Sequence, residues 1–193
     1  MQAEEVIERF KRTGALLEGH FVLSSGLHSA SYLQCALVLQ HPSEAEAFGL
    51  ALAQHFQGQR IETVAAPAIG GLVIGYEVAR ALGARFIWTE RDATGGMTLR
   101  RGFTVRPGES VLVVEDVITT GGSTRETIAA LQSAGARVVG AASIIDRSAG
   151  RADVGLARVA LATLEVPSVA PTSCAACARG EEAIKPGSRK SSF

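Results

Sequence analysis

Short apolar runs and amphipathic stretches alternate along most of this chain of 193 residues. Runs rich in Val, Ile and Ala predict buried strands, whereas apolar residues spaced three or four apart predict helices. The predicted strands are Ile61 to Ala66, Ala84 to Thr89, Val111 to Glu115, Val138 to Ile145 and Val159 to Leu164. The predicted helices are Ser43 to Gln57, Gly71 to Leu82 and Ser123 to Ala134. This order predicts an α/β fold, with a mostly parallel sheet flanked by helices.

The same pattern divides one predicted domain of residues 1–193 into three parts. Residues 41–166 form the α/β core, and residues 1–40, with a helix at about Ala3 to Thr13, are expected to form a separate cap. Residues 167–193 are rich in Pro and Gly and are expected to be irregular. Ligands bind at the carboxyl ends of parallel strands. Four strand-end residues are expected to meet there: Pro67, Glu90, Asp116 and Asp146.

The segment from Val111 to Thr124 carries the clearest chemistry. An apolar strand leads into two adjacent carboxylates, Glu115 and Asp116, and a loop of hydroxyl residues and glycines follows. Free backbone N–H groups where the next helix begins make such a loop an anion site. The carboxylates must face hydroxyl groups or positive charge, so the segment predicts a site for a phosphorylated sugar. A generic strand, turn and helix remains the alternative, whereas the P-loop and dinucleotide motifs are absent.

Composition and charge narrow the classes of partner. Lys plus Arg and Asp plus Glu number 19 each, so no overall basic field is present to attract nucleic acid. No apolar run approaches the roughly 20 residues of a membrane span. The N-terminus lacks a basic start and an apolar signal core. We therefore expect a cytoplasmic protein that binds neither nucleic acid nor membrane.

Three cysteines, Cys35, Cys174 and Cys177, are too few for a disulfide framework and favour a reducing compartment. Cys174 and Cys177 have the C-x-x-C spacing of a metal or redox pair. A tetrahedral zinc site needs four ligands, and the histidines are far away in sequence. A plain reduced pair is the first interpretation, and a metal site with folded neighbours or across a dimer is the second.

Four landmarks in this chain resemble type I phosphoribosyltransferases, and their form resembles the orotate phosphoribosyltransferase family. The segment Val113 to Ser123 is similar to the motif that binds 5-phosphoribosyl 1-pyrophosphate (PRPP). Phe21 to Ser29 resembles the orotate enzymes' N-terminal entry, Ala66 to Gly71 their pyrophosphate loop, and Ile145 to Arg147 the strand end with a substrate-binding Arg. The resemblance implies a parallel sheet with an N-terminal hood, transfer of a phosphoribosyl group to orotate in pyrimidine synthesis, and a homodimer.

The resemblance also implies roles for individual residues. Glu115, Asp116 and Arg91 are the expected catalytic residues, and Mg²⁺ is the expected cofactor, bound mainly through PRPP and pyrophosphate. No residue of the chain is assigned as its ligand. The expected PRPP-binding residues are Glu115, Asp116, Val117, Ile118, Thr119, Thr120, Gly121, Gly122, Ser123, Gly70, Arg91 and Arg100. The expected orotate-binding residues are Thr119, Arg147, Ser25, Gly26 and Tyr32.

Two positions depart from the family pattern. Gly70 stands where many orotate enzymes have a Lys, and the stretch 89–102, expected to be a mobile loop, has arginines but no Lys or His. Arg stays protonated, so electrostatic stabilisation of the leaving pyrophosphate is favoured over proton donation. Asp146 is expected to orient Arg147, which could instead pair with Asp153 on the surface. A purine phosphoribosyltransferase and a PRPP-sensing regulator without catalysis remain alternative functions.

Overall fold

The computed structural model describes residues 1–23 and 25–186. The first two strands, β1 (Leu16–Val22) and β2 (His28–Leu33), form an antiparallel hairpin. Six further strands form one sheet in the order β5-β4-β3-β6-β7-β8, in which only β5 is antiparallel to its neighbour. These strands are β3 (Thr63–Pro67), β4 (Arg85–Arg91), β5 (Met97–Leu99), β6 (Ser110–Ile118), β7 (Arg137–Asp146) and β8 (Arg158–Thr163). The predicted mostly parallel sheet is confirmed.

The helices of the described residues follow the predicted order. They are α1 (Ala3–Arg12), α2 (Cys35–Leu39), α3 (Pro42–Gln54), α4 (Gly71–Leu82), α5 (Gly122–Ser133) and α6 (Ala175–Ala178). The predicted helices correspond to α1, α3, α4 and α5, whereas α2 and α6 are short and were not predicted. None of the helices in the described part of the chain is long and apolar enough to cross a membrane.

Both faces of the sheet are buried, which explains the continuous apolar runs of its central strands. Along β6, Leu112 and Val114 pack with α1, α3 and α4 on one face. Val111 and Val113 pack on the opposite face with Ile128 of α5. All four valine and leucine side chains are completely buried. The carboxyl end of β6 is therefore held rigidly between two apolar layers.

The expectation that residues 1–40 form a separate cap is wrong for α1. Val6 and Phe10 of this helix are completely buried in the same core as α3 and the sheet. The apolar side of α1 packs on the core because a helix with one apolar stripe must bury it. The hairpin β1–β2, in contrast, forms a sheet of its own.

The tail, expected to be irregular, is tied to this hairpin in the described residues 167–186. Val169 exchanges two backbone hydrogen bonds of 2.8 and 2.9 Å with His28 of β2. The Ile184 carbonyl accepts from Val22 N, and Ile184 N donates to the His20 carbonyl, both at 2.8 Å. Both edges of the hairpin are thereby paired. Residues 187–193 lie outside the described residues.

The stretch 89–102, expected to be a mobile loop, contains a hairpin. Arg91 of β4 pairs with Met97 of β5, and Asp92 closes the turn between them. The Asp92 carboxylate accepts backbone hydrogen bonds from Thr94 at 2.8 Å and from Gly96 at 3.1 Å. An Asp side chain that caps its own turn is ordinary turn chemistry, and it gives the segment a defined shape in this structure.

Candidate active site

Glu115 and Asp116 lie near the carboxyl end of β6, beside the loop that follows β3. The Glu115 side chain is buried, and Asp116 is partly buried. A Cβ atom on Gly70 would sit 2.8 Å from Asp116 Oδ1, and one on Gly71 would sit 2.9 Å from the Val114 carbonyl oxygen. The two glycines therefore let the β3–α4 loop, with its cis peptide between Ala68 and Ile69, lie directly against the carboxylates.

The environment of these carboxylates favours their neutral forms. Burial raises the pKa of Glu115 well above its ordinary value, and the adjacent Asp116 carboxylate adds to the shift. Burial also raises the pKa of Asp116, although hydrogen bonds from Glu115 and from Val117 N, the latter 2.7 Å long, oppose it. Neither carboxylate has an ion pair among residues 1–23 and 25–186. Such a pair is suited to a ligand that supplies hydroxyl donors or positive charge.

A second loop, Thr119 to Gly121, connects β6 to α5. The first helical hydrogen bond is donated by Arg125 N to the Gly121 carbonyl, so the N–H groups of residues 122–124 precede it and have no acceptor within the helix. Gly121 has a φ of 76°, and a Cβ there would meet Val154 at 2.9 Å. The glycine is thus required by the backbone, and the loop has the form of an anion site.

Arg125 braces this loop from outside. Its Nη1 donates to the Thr120 carbonyl at 2.9 Å and to the Asp153 carbonyl at 2.5 Å. The contact with Asp153 therefore belongs to Arg125 and not to Arg147. Sequence reasoning missed Arg125, because nothing in the local pattern indicates that a surface Arg will reach back five residues to a carbonyl.

A cavity of about 490 Å³ opens beside the same loop and contains Arg147. Arg147 N donates to the Ile118 carbonyl at 2.8 Å, which places this residue at the end of β6. Its guanidinium is half-buried, and its Nε is a buried donor without a partner in the described residues. Burial lowers the pKa of Arg147. The lining residues are Leu23, Thr119, Arg147, Arg151, Glu165, Val166, Pro167 and Ser168.

Tyr32 lies close enough to Arg147 for the two side chains to interact electrostatically. Burial raises the pKa of the Tyr32 hydroxyl, and the positive charge of Arg147 partly offsets the shift. Ser25 and Gly26 are exposed in the β1–β2 turn and are not part of the cavity lining. Ser24 lies outside the described residues.

The sequence predicted that Asp146 orients Arg147, but the Asp146 carboxylate contacts other groups. The buried Asp146 carboxylate accepts from Arg158 Nη2 at 3.0 Å, from Ser148 N at 2.7 Å and from Gly150 N at 2.9 Å. It therefore fixes the turn 147–151, and within residues 1–23 and 25–186 the Arg147 guanidinium has no carboxylate partner. The alternative in which Arg147 pairs with Asp153 also finds no ion pair in the described part of the chain.

The arginines of the β4–β5 segment contact carboxylates outside the cavity. Arg91 Nη1 pairs with Glu126 of α5 at 2.8 Å. Arg100 lies 3.6 Å from Glu90, which also pairs with Arg101 and accepts from Trp88 Nε1. Glu90 lies near the end of β4, as predicted, but its carboxylate is engaged by these neighbours. The structure does not place Arg91 or Arg100 in the cavity lining with Arg147.

Arg151, Glu165 and Pro167 line the cavity but were not among the residues predicted for it. Two of them follow the last strand of the sheet, where the local sequence has no motif. The pairing of β8 with β7 carries Glu165 to this edge of the sheet, and the tail that follows carries Pro167, so no local signal was available to find them.

Comparison with known proteins agrees with this geometry. A sequence model described as the phosphoribosyl transferase domain matches residues 36–160. An orotate phosphoribosyltransferase of Pelotomaculum thermopropionicum is 54% identical over 98% of this chain and 100% of its own length. The chain belongs to the orotate phosphoribosyltransferase family. The match extends over the full length of that relative, so it includes the segments that form the hairpin as well as the α/β core.

Solved structures of the family have the same fold. An orotate phosphoribosyltransferase from Aeropyrum pernix has a TM-score of 0.68 and 31% identity, and the match covers 82% of this chain and 93% of that one. An orotate phosphoribosyltransferase of Mycobacterium tuberculosis in complex with PRPP has a TM-score of 0.66 and 26% identity, and covers 83% and 94%. The predicted fold class is thus confirmed twice, by the strand order and by these structures.

Proposed function

We propose that this protein transfers the 5-phosphoribosyl group of PRPP to orotate, forming orotidine 5′-phosphate and pyrophosphate in pyrimidine synthesis. The observation that carries the proposal is the Arg147 guanidinium, which has a buried, unpartnered donor in a cavity of about 490 Å³ beside the anion loop. A buried Arg without a carboxylate suits a ligand that carries one. Orotate is such a ligand, and the relatives named above are orotate enzymes.

The two loops divide the sugar phosphate between them. The backbone N–H groups from Gly121 to Ser123, together with the hydroxyls of Thr119 and Thr120, bind the 5-phosphate at the start of α5. Glu115 and Asp116 accept hydrogen bonds from the two ribose hydroxyls. The positive charge that develops at the anomeric carbon as pyrophosphate leaves favours the ionised forms of these carboxylates, which then stabilise that charge.

Mg²⁺ is part of the proposal as a cofactor bound through PRPP. The phosphate and hydroxyl oxygens of PRPP are the hard oxygen ligands that this ion prefers. When bound, the ion would neutralise the pyrophosphate. The chain's own contribution is the pair Glu115 and Asp116, which hold the ribose, and the backbone of the loop at Gly70, which approaches the leaving group.

Arg91 and Arg100 are proposed to stabilise the leaving pyrophosphate after exchanging their present partners. Both pair with exposed or partly exposed carboxylates, Glu126 and Glu90, and such surface pairs contribute little stability. A ligand with a pyrophosphate group competes well with them. Their guanidinium groups remain charged, so their role is electrostatic.

A homodimer and a cytoplasmic location belong to the same proposal. Ile69, Val73 and Tyr76 are large apolar residues that are 77%, 45% and 58% exposed, next to the β3–α4 loop. An apolar patch of this kind on a folded surface marks an interaction site. The free thiols of Cys35, Cys174 and Cys177 fit a reducing compartment.

An assay of purified protein tests the function. We expect loss of orotate absorbance that requires both PRPP and Mg²⁺, with no turnover of adenine or hypoxanthine. The Glu115→Gln/Asp116→Asn double variant, purified in the same way, controls for the expression host's own enzyme and should be inactive. Turnover of a purine but not of orotate would contradict the proposal, and turnover of no base would favour a regulator.

A further inference from the structure

Two histidines and two cysteines that are distant in sequence meet where the tail crosses the hairpin. His20 and His28 lie on β1 and β2, Cys174 immediately precedes α6, and Cys177 lies within it. Three of these residues are buried, and Cys177 is partly buried. Their ligand atoms all lie within 4.8 Å of one another. This group of four side chains, the His-Cys cluster, takes no part in the function proposed above.

The distances within the His-Cys cluster suit a single metal ion. His20 Nε2 and His28 Nδ1 are 2.7 Å apart, and Cys177 Sγ lies 3.6 Å from the first and 3.2 Å from the second. Cys174 Sγ lies 3.4 Å from His20 Nε2. Zinc bonds of about 2.0–2.3 Å at tetrahedral angles require ligand atoms roughly 3.3–3.8 Å apart. Small movements of the side chains would bring the four atoms to those separations.

The surroundings of His20 direct one of its ring nitrogens toward the cluster. His20 Nδ1 lies 3.0 Å from the Glu181 carbonyl oxygen, to which it donates in the neutral tautomer. The lone pair of Nε2 then points at His28 and the two sulfurs. Most histidines that bind metals donate their other ring N–H to a carbonyl or carboxylate, which fixes the tautomer in this way.

We propose that His20, His28, Cys174 and Cys177 bind one structural Zn²⁺ ion with a closed N₂S₂ ligand set. The two thiols lose their protons on binding, and the histidines bind as neutral rings. Four protein ligands leave no open position for a substrate. An iron–sulfur cluster with two Cys on one iron and two His on the other would separate the sulfurs from the nitrogens, whereas here Cys177 lies near both rings.

The proposed ion would fasten the tail to the hairpin near the cavity that contains Arg147. Leu23 at the end of β1 and Val166 to Ser168 of the tail line that cavity. Ser29 Oγ donates to the Pro167 carbonyl at 2.9 Å, one residue beyond His28. The ion would therefore hold together two segments that form one wall of the site.

Metal analysis of tag-free protein tests the proposal. After incubation with zinc and dialysis, the full chain should hold about one zinc ion per chain. Inductively coupled plasma mass spectrometry measures this content. The Cys174→Ser/Cys177→Ser double variant should fall to background, and His55→Gln, which changes an exposed histidine outside the cluster, should keep the full content. Zinc retained by the double variant, or none held by the unaltered protein, would overturn the proposal.

Cobalt substitution tests the proposed metal site even if the double variant does not fold. The unaltered protein and His55→Gln should both develop the intense thiolate-to-cobalt absorption of a tetrahedral site, and His28→Cys should retain a shifted form of it. Absence of these bands in the unaltered protein would contradict the site. So would iron with inorganic sulfide, or an intact mass lower by two hydrogens, which would indicate a Cys174–Cys177 disulfide.

Discussion

Glu115 carries a carboxyl group in a position that favours its neutral form. Because its folded-state pKa lies well above its ordinary value, the folded protein binds this proton more tightly than the unfolded chain does. The resulting stabilisation is complete below the unfolded pKa of about 4.3 and is lost as pH rises through the folded value. In the absence of substrate, this residue therefore lowers stability at neutral pH, as residues arranged for catalysis often do.

We expect Glu115→Gln to raise Tm at pH 7 and to leave it unchanged near pH 4, because glutamine removes the cost of burying a charge. For a chain of this size, each kcal/mol gained would add about 2–4 °C to Tm. Thermal unfolding measured from pH 4 to 8, without ligand, checks the difference between the two proteins. A variant that is less stable than the unaltered protein at pH 7 would contradict this account of Glu115.

Glu109 provides a matched control of opposite sign. Burial alone would raise its pKa, but hydrogen bonds from Arg106 N, Thr63 and Arg85 lower it to about 2. Its contribution is therefore present above the unfolded pKa and is lost as pH falls toward 2. Glu109→Gln should lose on the order of 3 kcal/mol at pH 7, or roughly 6–12 °C in Tm. Equal Tm shifts in Glu115→Gln and Glu109→Gln would show that the local electrostatic environment of the carboxylate does not determine its contribution to stability.

Arg147 is expected to act on the base and not on PRPP. Arg147→Ala should raise the Michaelis constant for orotate about 10- to 100-fold, since a hydrogen bond to a charged group contributes roughly 1.5–3 kcal/mol. The Michaelis constant for PRPP should change little. Steady-state kinetics of both substrates check this, with Arg60→Ala, an exposed Arg paired with Glu62, as the control. An unchanged value for orotate would remove Arg147 from the base pocket.

At the scale of elements, two glycine-containing loops converge on one acidic pair. The loop after β3 approaches Asp116 closely, and the loop after β6 carries the phosphate site into α5. Gly70 belongs to the loop after β3. Its φ of −56° is open to any residue, but the absence of a Cβ atom makes room for Asp116. The constraint on Gly70 is therefore the neighbouring carboxylate and not its own backbone.

We expect Gly70→Ala to lower kcat by at least about tenfold, equivalent to 1.4 kcal/mol, because Asp116 must move from its position beside the ribose. The backbone conformation is compatible with alanine, so Tm should change by only a few degrees. Gly96→Ala is the matched control, because a Cβ there has no neighbour closer than 3.7 Å. Full activity of Gly70→Ala would mean that the position of Asp116 is not critical.

The sequence predicted those elements whose signal is local. The core strands are apolar because both faces are buried, and Glu115 to Ser123 could be recognised because the residues are contiguous. The strands of the hairpin β1–β2 pair with each other locally, but its two outer edges are covered by residues more than 130 positions away, such as Val169 and Ile184, which no local pattern indicates. The sequence indicated a possible metal pair at Cys174 and Cys177, but it did not identify His20 and His28 as their neighbours, because these histidines are about 150 positions away.

Residue roles at the strand ends were harder to predict than the strands. Asp146 was expected beside Arg147 because the two are adjacent, yet successive side chains of a strand point in opposite directions. Asp146 therefore turns toward Arg158, whereas Arg147 enters the cavity. Arg91, likewise, was placed by resemblance to a loop, and its pairing with Glu126 depends on how α5 packs.

At the scale of the whole molecule, the exposed apolar residues beside the active-site loop predict self-association. Tyr76→Glu should weaken a dimer at least about 30-fold, as expected for an aromatic residue worth 2 kcal/mol at an interface. Sedimentation at several protein concentrations measures the change. Ile184→Glu, which alters a residue 61% exposed on the tail, is the control and should leave association unchanged. If the unaltered protein stays monomeric at all of these concentrations, the proposed dimer is contradicted.

The pairing of Phe21 and His28 with Ile184 and Val169 also bears on how the protein is made. Synthesis proceeds from the N-terminus, and domains generally fold in that order. The hairpin emerges from the ribosome early, but the segments that cover both of its edges are translated near the end of the described chain. A nascent chain therefore exposes two unpaired strand edges for most of its synthesis. We expect ribosome-bound chains shorter than residue 169 to recruit chaperones at this hairpin and to lack affinity for the base.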